Sequence, residues 1–69
     1  MNDEATRVVE NAVDGLENGK STHMVRAYVS AAQEVELLTA EEYRTLQRAQ
    51  KHVDSDQRYS AKSLLTELL

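Results

Sequence analysis

Apolar side chains recur along this chain at helical intervals, and no stretch alternates with period two for long enough to form a strand. Ala5, Val8, Val9, Ala12, Val13 and Leu16 are spaced three and four residues apart, so a helix would gather them on one narrow face. Asn2 or Asp3 can cap that segment and Asn18-Gly19 supplies a left-handed stop, which predicts a first helix over about 3–17. Ser21 and Thr22 are the next capping candidates. Behind them Met24, Val25, Ala27, Tyr28, Val29, Ala31, Ala32, Val35 and Leu38 cover about 200° of a helical wheel, with Arg26, Ser30, Gln33 and Glu34 as the polar strip. An arc that wide predicts a second helix over about 22–37 that touches more than one neighbour and forms the central element. Leu37 falls outside the arc and suits a turn.

The clearest local signal is Leu38-Thr39-Ala40-Glu41-Glu42, where Thr39 and Glu42 have capping-box spacing and Leu38 can staple against Tyr43. A third helix over about 40–53 then turns Tyr43, Leu46, Ala49 and Val53 inward. Asp54-Ser55-Asp56 breaks it and offers caps to a fourth segment, about 57–68, with Ala61, Leu64, Leu65, Leu68 and Leu69 as its apolar face. The expected fold is all-α: one domain over residues 1–69, a small bundle of three to four short antiparallel helices. There is no internal repeat, linker or low-complexity segment.

Composition adds a constraint. Of 69 residues 41% are apolar, and they are Ala, Val, Leu, Met and Tyr only. Without cysteine there is no disulfide, thiolate ligand or thiol nucleophile. So thin an aliphatic inventory suggests a core completed by homodimerisation, with Met24, Tyr28, Ala31, Val35, Leu65 and Leu68 as the candidate contact. The longest apolar run, Ala27-Tyr28-Val29, is far too short for a membrane span, and Asn2-Asp3-Glu4 is unlike the basic opening of a signal peptide. The expectation is a cytoplasmic protein with no membrane contact.

Candidate chemistry is sparse. Gly15 to Ser21 superficially resembles a phosphate-binding loop, but the spacing is one residue short and a helix precedes it where a strand is needed. Asp54-Ser55-Asp56 opens like a calcium loop, yet Tyr59 stands where glycine is required and Leu65 where glutamate is required. His23 and His52 have no helical His or Glu partner at zinc spacing. No catalytic residue, metal ligand or cofactor is assigned, and an enzyme is not expected.

Charge is more informative than its net value of −4. Residues 1–42 hold nine acidic and three basic side chains, whereas residues 43–69 hold three acidic and five basic. Asp3, Glu10, Asp14 and Glu17 form an acidic stripe within about 60° of the first helix, opposite its apolar face. Arg44, Arg48 and Lys51 form a basic stripe of similar width on the third. Neither stripe steadies its own helix, since Glu10 with Asp14 and Arg44 with Arg48 are like-charge i, i+4 pairs. Solvation of outer faces is the plain explanation.

Two functional expectations follow. The first is a small non-enzymatic interaction module, a regulator or inhibitor that docks on a partner protein, as a homodimer. In one variant its acidic stripe occupies a basic surface. The second is a helix-turn-helix-like transcriptional regulator that contacts nucleic acid through Arg44, Gln47, Arg48, Gln50 and Lys51. The long second helix, a turn without glycine and the acidic net charge weigh against the second.

Overall fold

The computed structural model describes all residues 1–69 and contains four α-helices and no strand: α1 (Asp3–Glu17), α2 (Thr22–Gln33), α3 (Ala40–Asp54) and α4 (Arg58–Glu67). Each helix packs on two others, α1 with α2 and α4, and α3 with α2 and α4, so the four close into a ring. Short connections make sequential neighbours antiparallel. Cross-helix bonds agree: Arg26 near the start of α2 pairs with Asp54 at the end of α3 (2.9 Å), and Arg58 opening α4 reaches Gly15 near the end of α1. It follows that α1 and α3 sit at opposite corners and run in the same direction, as do α2 and α4. No helix is central, and α2 is one corner among four.

The expected capping chemistry sets the helix ends. The Asn2 side chain accepts from the Ala5 amide (2.9 Å), and Ser21 accepts from Met24 (3.2 Å). Thr39 and Glu42 exchange both bonds of the capping box, at 2.9 and 3.0 Å. α1 ends in a Schellman turn: Gly19 takes φ +69° and the Lys20 amide donates to the Gly15 carbonyl at 2.8 Å. Arg58 adds a donor from another helix, bonding the carbonyls of Gly15 (3.3 Å) and Lys20 (2.8 Å). α3 ends the same way, with Asp56 at φ 59° in the glycine position. Asp54 and Asp56 therefore close α3 and do not cap α4, whose N-cap is Gln57 without a side-chain cap bond.

α2 stops four residues earlier than its apolar arc suggests. The amides of Glu34 and Val35 donate to Ala31 and Ala32, tightening the last turn, and Leu37 then adopts φ 69° to reverse the chain. The left-handed region is unfavourable for a residue with a Cβ, by about 1–2 kcal/mol. Replacing Leu37 with glycine is accordingly expected to stabilise the fold by about 0.5–1 kcal/mol. Urea unfolding followed by circular dichroism measures it, and an unchanged or lower midpoint would refute the strain.

The core is made of small side chains. Leu46, Leu65, Val9, Val25, Val29 and Val53 are its largest fully buried members, and Ala5, Ala12, Ala32, Ala49 and Ala61 are all wholly inaccessible. Alanines at the contacts let helix axes approach, which reduces the volume the larger side chains must fill. Gly15 extends this: a Cβ there would lie 3.1 Å from the Val25 Cγ2. Close approach explains how a chain without Ile, Phe or Trp closes its core alone. Twelve apolar residues are buried within the one chain, while Met24, Leu37, Tyr43, Tyr59 and Leu69 stay exposed.

Glu42 joins the cap to the chain start. Its Oε2 accepts from the Met1 ammonium at 2.8 Å, while the Met1 side chain is inserted against the core. That ammonium, then the Thr39 amide, holds the Glu42 carboxyl below its ordinary value of 4.5. A lowered folded value stabilises above the unfolded pKa, and the contribution disappears as pH falls through the folded one. Glu42→Gln should therefore lower the urea midpoint at neutral pH, with the gap to the parent closing in acid. A gap independent of pH would contradict the assignment.

Candidate functional site

All four acidic residues of the α1 stripe, Asp3, Glu10, Asp14 and Glu17, are exposed, as are Arg44, Arg48 and Lys51 on α3. Within the chain only Glu17 among these seven forms an ion pair, to Lys62 of α4 at 3.3 Å with both side chains largely solvated. Arg44, Gln47, Arg48 and Lys51 line a single shallow depression along α3. Gln50 is not part of it. Its side-chain amide turns to α2 and donates to the Arg26 carbonyl (3.2 Å) and the Ser30 hydroxyl (2.7 Å). The order α2–turn–α3 is present, with a connection of residues 34–39 that is longer than the about three or four residues of a helix-turn-helix turn.

The six residues of the expected dimer contact separate into two groups. Leu65 is fully buried in the core of the chain, and Leu68 is half-buried, packed against the edge of the same core. Met24 is 43% exposed, Ala31 is exposed, and Tyr28 and Val35 are half-buried. The wide apolar arc of α2 is real in sequence, yet only Val25, Val29 and Ala32 enter the core fully. Tyr43, expected on the inner face of α3, remains 41% exposed.

What is left outside α2 is a face with little charge. From Thr22 to Gln33 the only charged side chain is Arg26, and it is drawn sideways into its pair with Asp54. His23, Met24, Ala27, Ser30 and Ala31 are exposed along the helix. At its C-terminal end Ala31, Val35 and Leu37 line a shallow concavity with Asn2, bordered by Glu4, Glu34 and Glu36. Leu37 is 83% exposed there. Sequence periodicity picks out Ala31 and Val35 as a contact but not Leu37, which lies off the helical arc and whose exposure depends on where the chain turns.

The remaining corner carries Tyr59, 83% exposed on α4 beside Lys62, Ser63 and Thr66. No three His, Asp or Glu side chains converge in a geometry for a metal ion, and no helix is long and apolar enough to cross a membrane. Comparison with known proteins returns no matching family model, no matching curated protein and no matching solved structure.

Proposed function

We propose that this protein is a small non-enzymatic interaction module, a regulator or inhibitor that docks on a partner protein through the outer face of α2 and the turn after it. Leu37 carries the reading. It combines a left-handed backbone with a nearly fully exposed leucine side chain, and each feature lowers the stability of the isolated chain. Departures from local rules concentrate at functional positions, where a partner recovers the energy. The surroundings specify that partner's chemistry. Ala31, Val35 and Leu37 ask for an apolar segment, and Glu4, Glu34 and Glu36 ask for lysine or arginine beside it.

Ala31→Glu with Leu37→Gly alters this face without touching the core. Affinity isolation from the cells of origin with parent and variant in parallel provides the test, once matched circular dichroism shows both folded. A partner held by the parent and lost by the variant supports docking here, whereas a partner retained by both refutes it. Homodimerisation through α2 is the competing occupancy, marked by twice the chain mass in light scattering and removed by the same substitutions.

Nucleic-acid contact through the α3 stripe is the second reading, favoured by Arg44, Gln47, Arg48 and Lys51 sharing one depression. Binding to duplex DNA that weakens with salt and with Arg44→Ala, Arg48→Ala would support it.

A further inference from the structure

The two charged stripes are related in a way that neither stripe reveals alone. Arg7, Glu10, Asp14 and Glu17 on α1 correspond, each 34 positions on, to Glu41, Arg44, Arg48 and Lys51 on α3. Every charge is inverted, including Arg7 and Glu41, which break the sign of their own stripes. Identical spacing gives both sets the same axial rise, about 10 Å from the second member to the fourth, and the same angular spread. All eight side chains are exposed, and seven of them lack an ion pair within the chain.

The fold places these complementary surfaces where one molecule cannot join them. α1 and α3 occupy opposite corners of a bundle about 18 Å across, and both stripes lie opposite the buried face of their helix. Because the two helices run in the same direction, a copy moved along that diagonal has its α3 beside α1 of the next and parallel to it; the helix ends lie 37 positions apart, so sliding the copy along the axis by about three residues, ~5 Å, brings the positions 34 apart level. We propose that copies of this chain associate head to tail, the α1 stripe of one seated on the α3 stripe of the next. The contact is heterologous, so it propagates unless a rotation between copies closes a ring. Exposed ion pairs are individually weak and sensitive to salt, which makes the association weak, reversible and concentration-dependent. It uses corners other than α2, so its failure and that of the docking face are independent.

Light scattering and sedimentation equilibrium of the intact chain test it across protein concentration. At about 0.01 M salt, where the Debye length is about 30 Å, the average mass should rise with concentration past twice the chain mass; at about 1 M, where it is about 3 Å, the mass should return to one chain. Two charge-reversed variants sharpen the outcome. Arg44→Glu, Arg48→Glu, Lys51→Glu makes both corners acidic, and Glu10→Arg, Asp14→Arg, Glu17→Lys makes both basic. Each should stay monomeric alone at low salt, and their equimolar mixture should associate. A monomeric parent at low salt overturns the proposal, as does association of either variant alone or a mixture that stays monomeric. So does a salt-insensitive plateau at twice the mass, which would report a contact through α2. Duplex DNA binding by the parent without self-association would instead make the α3 stripe a phosphate surface.

Discussion

Leu65→Ala is expected to destabilise the chain by about 2–5 kcal/mol, the range for a leucine truncated in a packed core. Leu65 is wholly inaccessible on α4 and belongs to the same cluster as Leu46, Val29 and Val9. The lost transfer energy and the cavity left behind both contribute, and the small alanines of the same cluster have few ways to collapse into the space. Against a total near the lower end of about 5–15 kcal/mol, one such truncation removes much of the folded population. Leu65→Asp should leave no folded protein, since it buries a carboxylate without a partner. Leu69→Ala, at a site 54% exposed, should change stability by less than about 0.5 kcal/mol. Urea unfolding at several protein concentrations is the measurement. A loss that does not depend on concentration places Leu65 in the core of one chain, whereas a loss that shrinks as concentration rises would place it between chains.

Gly15→Val is the second large effect, expected at about 1–3 kcal/mol from overpacking. A Cβ at Gly15 already meets the Val25 Cγ2 at 3.1 Å, and valine adds two methyl groups beyond it. α1 and α2 must then separate where Arg58 bonds the Gly15 and Lys20 carbonyls, so the cap is strained as well. Gly15→Ala should lie near zero, because about 0.5–1 kcal/mol of helix preference offsets the tighter contact. The discriminating measurement is a double-mutant cycle. Val25→Ala should relieve the Gly15→Val penalty by at least about 0.5 kcal/mol. Simple additivity would show that the glycine serves something other than this approach.

The proposed activities rest on different faces of the bundle, which share α1 only at Glu4 on the border of the first. α2 and Leu37 present an apolar face with an acidic border, while α1 and α3 present matched stripes of opposite sign. Leu37→Gly links stability to the first: it should strengthen the fold and weaken docking together, the compromise expected of a strained contact residue. The charge reversals act on the second and leave Leu37 in place. Salt separates the two, since apolar docking survives screening and stripe pairing does not.

Much of this protein is determined locally. Asn2, Ser21 and the Thr39–Glu42 box start helices through bonds spanning only three residues, and Gly19 ends one through its own φ, so sequence suffices to place them. The all-α class, the number of helices and most of the buried alanines and valines follow from periodicity for the same reason. Tertiary structure decided the rest. Which part of the α2 arc is buried depends on how closely its neighbours approach, and that depends on Gly15 and four alanines on other segments as well as Ala32 of its own. Only the ring of four helices could show that Leu65 is interior, that Leu37 is exposed and that α1 and α3 face away from each other. A wheel fixes the angle between residues of one helix; it carries no distance to the next.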